Sequence, residues 1–389
     1  MSALPPLCGH AELQERFRRA AMADRLPQSL LLHGPDGVGK QRLGLWIGAL
    51  VLCSARPEAR PCGDCGPCRM VGGLQHPDLH WFFPLPRPKG SHSPKKLREL
   101  LEEARMEAIA ERREDPLGVR EHEKAPAIYL AMVDELRARA SRRPATAEST
   151  VFVVGDAERM VPQAASQEAA NAFLKLLEEP PPDTLLVLTS SRPGALLPTI
   201  RSRVLAVRVT PPDPEEAAAF LEKRAGLPGP TARELARRTQ GAVGRALRLA
   251  GTDATDAEEG WRFVGTAATG TPTDRLALAA CLPVSGARGP FTDTLDRIEE
   301  VLRECLTRAT DSVDFAWHRD PGDRSDLLDV LARVPPDRLI SCMDHVESAR
   351  RAAAGNGNPQ AIGAVLLSRL AHELQISRSG GRNAVRGRV

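Results

Sequence analysis

Residues 25–41 read RLPQSLLLHGPDGVGKQ, and this stretch decides the fold class. The run Ser29–His33, SLLLH, is short and apolar, as a buried strand is. It stops at Gly34-Pro35-Asp36-Gly37-Val38-Gly39-Lys40. Gly34, Gly37 and Gly39 let backbone N–H groups close around phosphate oxygens, and Lys40 supplies the charge that β- and γ-phosphates need. From Gln41 to Cys53 the pattern is helical. Strand, glycine loop and helix in that order predict a phosphate-binding loop. The most apolar part, Leu43–Cys53, is eleven residues long, too short to span a bilayer, and reads as a buried helix.

Working outward, Thr150–Val154 (TVFVV) and Thr184–Leu188 (TLLVL) read as further buried strands, and Val204–Val209 (VLAVRV) as another. Between the first two lies AASQEAANAFLKLLEEPPP, a helix stopped by three prolines. Apolar strands alternating with helices predict an α/β core, a parallel sheet with helices on both faces. His76–Pro84 reads as extended, residues 84–95 as a linker, and residues 95–114 as an amphipathic helix carrying Leu97, Leu100, Leu101, Ala104 and Ala108 on one face. Ile128–Ala140 reads as a helix. Beyond TPPDP at 210–214 the pattern is helical, with residues 251–272 reading as a loop-rich connector around a short helix. Leu295, Ile298, Leu302 and Cys305 share one face, as do Ile362, Val365, Leu366 and Leu370. The last thirteen residues carry four Arg and no acid, and read as a disordered basic tail.

Of the eight cysteines, Cys53, Cys62, Cys65 and Cys68 cluster as C-x8-C-x2-C-x2-C. A C-x2-C step aims two thiolates at one ion, and Gly63, Gly66 and Pro67 supply the turns. Four thiolates with no open position predict a structural zinc site. A redox pair would use two cysteines. Cys8, Cys281, Cys305 and Cys342 are scattered and read as small core residues.

Lys plus Arg exceed Asp plus Glu by only three charges, which excludes a strongly basic autonomous DNA binder. Aromatic residues are 4% of the chain, too few for a base-stacking platform. The first ten residues have neither a charged start nor an apolar core, so no signal peptide is expected and the expected location is cytoplasmic.

The nucleotide loop departs from a working ATPase at two positions. A Ser or Thr hydroxyl should follow the Lys to hold Mg²⁺, but the residue is Gln41. Strand 150–154 should lead into an Asp-Glu pair, but leads into Gly155-Asp156. Taken as separate losses, the two argue against efficient hydrolysis; compensation by Asp156 or Glu158 is the alternative. Whether nucleotide still binds stays open.

RLPQSLLLHGPDGVGK, the cysteine module after the loop helix, NAFLKLLEEPPP and LLPTIRSRV, in this order, resemble the bacterial clamp-loader subunits of the AAA+ class, specifically the delta-prime type of DNA polymerase III. The resemblance is dense over residues 9–84 and 126–208. It implies an AAA+ P-loop core with the zinc module over 1–208, a small helical lid over 209–268 and an all-α collar over 269–376. Ser202-Arg203-Val204 matches the family's Ser-Arg-Cys motif, which makes Arg203 an arginine finger acting in trans on a neighbour's ATP. Thr189 or Ser190 falls at the family's phosphate-sensing position and Arg245 at the sensor of the lid. A defective loop (Gly34, Gly37, Gly39, Lys40) beside an intact Arg and a zinc module implies a ring member that is not itself an ATPase. Its implied partners are gamma/tau and delta subunits, with the sliding clamp and primer-template DNA met through the complex. The alternative is an active gamma/tau-type ATPase. The insertion at 85–125 has no counterpart of that length and no assigned role.

Overall fold

The computed structural model describes residues 4–118, 126–160, 168–251, 254–284, 290–310, 327, 331, 333–355 and 357–374. The basic tail at 377–389 and residues 119–125 of the insertion lie outside them. Contacts divide the chain into two compact units, with the division after Gly251.

The first unit is built on five parallel strands: β1 (Ser29–His33), β2 (Leu79–Phe82), β3 (Thr150–Val154), β4 (Thr184–Ser190) and β5 (Leu205–Arg208), in the order β2-β3-β4-β1-β5. The parallel α/β core is as expected. β3 and β4 are buried along their whole length, which is why Val151–Val154 and Leu185–Leu188 are continuous apolar runs rather than alternating ones. β1 lies between β4 and β5, so the loop following it emerges at the carboxyl end of the sheet's interior. The extended segment read at His76–Pro84 is the edge strand β2, paired to β3.

Helices α1 (Ala11–Met22), α2 (Lys40–Leu52), α3 (Gly66–Gly72), α4 (Pro94–Glu114), α5 (Leu130–Ala140), α6 (Glu168–Glu178) and the single turn α7 (Pro198–Arg201) accompany the sheet. Gly44 and Gly48 on α2 face Val153 and Leu79, and a Cβ at either would lie 3.0 or 2.9 Å from those side chains; the glycines set how closely α2 lies on the sheet. The insertion helix α4 buries Leu101, Arg105 and Ile109. Arg105 donates to the Trp81 carbonyl at 3.0 Å, pairs with Glu102 and stacks on the Phe82 ring. The insertion thus finishes the β2 edge of the sheet, a role its length alone did not disclose.

Helices α8 (Pro214–Ala225), α9 (Gly229–Arg238) and α10 (Val243–Gly251) close a small core of their own around Leu221, Leu235 and Ala246. The second unit contains α11 (Ala254–Thr269), α12 (Pro272–Ala280), α13 (Pro290–Thr310), α14 (Pro336–Ala354) and α15 (Pro359–Leu374). Its core includes Phe263, Phe291, Leu295, Ile298, Leu302 and Cys305, so the face read on α13 is buried. Two readings need correction. The connector at 251–272 is the sixteen-residue α11, whose Gly and Thr residues are held helical by packing of Trp261, Val264 and Ala267. On α15, Val365 is exposed and Leu367 is buried in its stead. Among the described residues no helix is long and apolar enough to cross a membrane.

Candidate functional site

The glycine loop runs from the end of β1 to the start of α2. Gly37 has a φ of +77°, and a Cβ there would meet the Arg245 backbone nitrogen at 2.5 Å. The reason is a closing contact: Gly244 N–H donates to the Gly37 carbonyl at 2.8 Å, and Arg248 pairs with Asp36. Arg245, the expected sensor, therefore lies against the loop through its backbone nitrogen and the stem of its side chain. On the other side His10 bonds the Val38 carbonyl at 2.8 Å; burial pulls the imidazole's pKa down despite that bond and Glu216, which favours the neutral ring as donor.

Lys40 is buried and directed back at its own chain. Its ammonium donates to the Gly34 carbonyl (3.0 Å), the Pro35 carbonyl (2.8 Å) and the Ser191 hydroxyl (2.9 Å). Three donors are matched by three acceptors. Burial lowers its pKa, opposed by Asp36, Asp156 and Glu158.

Gln41 occupies the position of the metal-binding hydroxyl, and both ends of its amide are engaged. Oε1 accepts from the Trp81 indole N–H at 3.0 Å, and Nε2 donates to Asp156 Oδ2 at 3.1 Å. A Cβ on Gly155 would lie 2.4 Å from Gln41 Oε1 and 2.6 Å from its Cδ. The two departures from an ATPase are therefore not independent: the amide at 41 fits because 155 has no side chain, and they count as one observation.

Burial, and next the Glu158 charge, push the Asp156 carboxyl up to about 6. Glu158 Oε1 accepts from Ser191 N–H at 3.1 Å, while its other oxygen is buried without a partner among the described residues. Thr189 Oγ1 accepts from the Asp156 N–H at 3.0 Å, and Ser190 Oγ from the Arg192 N–H. At the end of β4 it is thus Ser191 that reaches Lys40. Ser191, His10 and Trp81 were not singled out from the sequence; the only signal for Ser191 was its place in the run Thr189-Ser190-Ser191.

The cysteine cluster sits where α2 ends. Cys53 caps α2 and Cys65 caps α3, so helix termini fix two of the four sulfurs. All four Sγ atoms lie within 4.8 Å of one another, with Cys53 3.6 Å from Cys62 and 3.7 Å from Cys65. Tetrahedral bonds of 2.3 Å to one ion require sulfurs about 3.8 Å apart, so the donor set fits a metal ion. Backbone N–H groups of Ala55, Cys62, Cys65 and Cys68 point at sulfur. Burial raises Cys65, but the N–H of Cys68 and the groups of Ser54 outweigh it and bring the thiol to about 6. Of the scattered cysteines, Cys305 and Cys342 are core residues whose burial holds them up near 12. Cys281 is exposed and Cys8 half-buried, contrary to the expectation for both.

Arg203 follows α7 and precedes the edge strand β5. Its Nη2 pairs with Glu178 at 2.9 Å, and Nη1 donates to the Thr199 carbonyl (3.0 Å) and the Ser202 hydroxyl (3.3 Å). The side chain is 36% exposed. Val204 is partly buried against the core of the sheet.

Comparison with known proteins bears on these features. The delta-prime subunit of DNA polymerase III from Pseudomonas aeruginosa is 31% identical over 205 residues, 53% of this chain and 49% of that protein. The Bacillus subtilis delta-prime subunit is 28% identical over 208 residues, 52% of this chain and 50% of that protein. The Escherichia coli delta-prime subunit is 25% identical over 235 residues, 60% and 58% respectively. The chain thus spans about half the length of the curated relatives it matches. The sequence model of the family described as "DNA polymerase III, delta subunit" matches residues 9–213, more than half of the chain, from the turn before α1 to the cap of α8. The parallel sheet, the glycine loop and this match together assign the chain to that family, among the delta-prime subunits of DNA polymerase III.

Proposed function

We propose that this chain is a delta-prime-like subunit of a DNA polymerase III clamp loader that assembles with gamma/tau and delta subunits. In this reading it hydrolyses no ATP itself and supplies Arg203 in trans to a neighbour's ATP site. Its sheet unit through residue 208 is the AAA+ core, residues 209–268 the lid and residues 269–376 the collar. The sliding clamp and primer-template DNA are met through the complex. The four-cysteine cluster holds a structural zinc ion, bound by Cys53, Cys62, Cys65 and Cys68, which supplies stability and no chemistry.

One observation carries the reading: the glycine loop is satisfied by its own chain while an Arg stands at the surface. Lys40 spends three donors on Gly34, Pro35 and Ser191, and Gln41 is held between Trp81 and Asp156. No hydroxyl follows the Lys to take Mg²⁺. Arg203 has a planar cation suited to charge developing on a transferred phosphoryl group. The rival, a gamma/tau-type ATPase, requires a metal ligand where Gln41 stands.

Reconstitution with gamma/tau and delta subunits tests this. The expected result is a stable complex whose DNA- and clamp-stimulated ATP hydrolysis falls at least tenfold on Arg203→Ala, with assembly unchanged. The chain alone shows no Mg²⁺-dependent turnover. Unchanged hydrolysis by the Arg203→Ala complex, or turnover by the isolated chain that Lys40→Ala abolishes, refutes the proposal.

A further inference from the structure

The contact between Arg203 and Glu178 joins two elements that the sequence separates by 25 positions. Glu178 is the last residue of α6, and Phe173, Leu176 and Leu177 of that helix are buried in the core. Pro180, Pro181 and Pro182 follow and prevent any extension. The carboxylate therefore projects from a fixed helix end. Arg203 has a long, flexible side chain that must give up rotational freedom to hold one orientation. Here it is held at three points: the Thr199 carbonyl and the Ser202 hydroxyl on Nη1, and Glu178 on Nη2. Among the described residues Nε–H makes no hydrogen bond and Nη2 has only its ion pair with Glu178, so the guanidinium is held while donors remain for an incoming anion.

We propose that Glu178 is a positioning residue for Arg203, fixing the plane of the guanidinium across the junction of α6 and α7. This rests on the reading of Arg203 as a finger acting in trans. The two local contacts, to Thr199 and Ser202, come from Arg203's own turn and restrict one nitrogen only. Glu178 adds a long-range ion pair that holds the second nitrogen at the end of α6, a helix anchored in the core by Phe173, Leu176 and Leu177. A change of about twofold to fivefold in rate corresponds to about 0.4–1 kcal/mol, within the range of a half-exposed ion pair.

The test uses the reconstituted complex and measures stimulated ATP hydrolysis for Glu178→Ala, Glu178→Gln, Arg203→Ala and the double variant Glu178→Ala/Arg203→Ala. Glu178→Ala is expected to lower kcat by about twofold to fivefold with KM for ATP unchanged, because the neighbour's pocket is untouched. Glu178→Gln, which keeps an acceptor oxygen, recovers part of the loss. The loss shrinks at high salt, and the double variant matches Arg203→Ala. If Arg203→Ala lowers turnover while Glu178→Ala leaves it unchanged or raises it, the positioning role falls and the finger stands. If the two losses multiply in the double variant, Glu178 acts elsewhere and the role falls as well. If Arg203→Ala itself has no effect, both readings fall.

Discussion

Substituting Gly155 by Ala adds a single methyl group, and the structure says what that methyl meets. Gly155 is not in the left-handed region, so the backbone accepts Ala without strain. The new Cβ would lie 2.4, 2.6 and 2.8 Å from Oε1, Cδ and Nε2 of Gln41. The amide must swing out, breaking its bonds to Trp81 and Asp156. Two hydrogen bonds lost at about 1 kcal/mol each, with the buried indole N–H left without an acceptor, cost about 2–4 kcal/mol. In a unit of this size that lowers the unfolding midpoint by about 5–10 °C. Gln41→Ala removes the same two bonds and opens the space, so adding Gly155→Ala to it costs little. The four proteins form a double-mutant cycle on the full chain, read by thermal and urea denaturation of the transition that carries the sheet. The double variant should be as stable as Gln41→Ala and less destabilised than the sum of the singles by about 2 kcal/mol. Strict additivity, or a Gly155→Ala protein within about 0.5 kcal/mol of the parent, would refute the claim that positions 41 and 155 are one feature.

Two further predictions concern the titrating groups. Asp156 has a folded-state pKa of about 6 against 3.8 when unfolded, so its ionisation penalises the folded state progressively as pH rises from about 4 to about 6, and the full penalty persists above. Asp156→Asn retains an acceptor for Gln41 and should raise the melting midpoint at pH 8 and leave it nearly unchanged at pH 4; an equal effect at both pH values contradicts this. The purified, reduced protein should carry about one equivalent of zinc by metal analysis, and Cys62→Ser should lower both the zinc content and the melting midpoint, whereas less than about half an equivalent in the parent counts against the site.

The core was legible because its signals are local. Short apolar runs that end at a glycine, Gly34 and Gly155, mark β1 and β3, and C-x2-C spacing needs no tertiary information to imply convergent sulfurs. What escaped the sequence was anything set by pairs far apart in the chain. Gln41 and Gly155 read as two defects because nothing in a linear string shows that one makes room for the other. Ser191 was passed over in favour of Thr189 and Ser190, since which of three hydroxyls reaches Lys40 depends on where the pleat of β4 ends. The α11 region misled because Gly and Thr lower helix propensity locally, and only the packing of Trp261 and Val264 against α13 and α15 outweighs that. Val365 was assigned to the wrong face of α15 because Val365 and Leu366 are adjacent apolar residues, and a helix turns about 100° between them.

The side chain of Arg105 on the outer rim of the sheet has a consequence for solution behaviour. A strand edge is a template for another strand, and most α/β sheets have two. At β2 the Trp81 carbonyl, which points away from β3, is already taken by Arg105. At the opposite rim β5 has no second neighbour among the described residues of its unit, and Leu205 is 54% exposed. The two rims therefore differ: a strand added at β2 would find one of its outward acceptors already occupied by a buried cation.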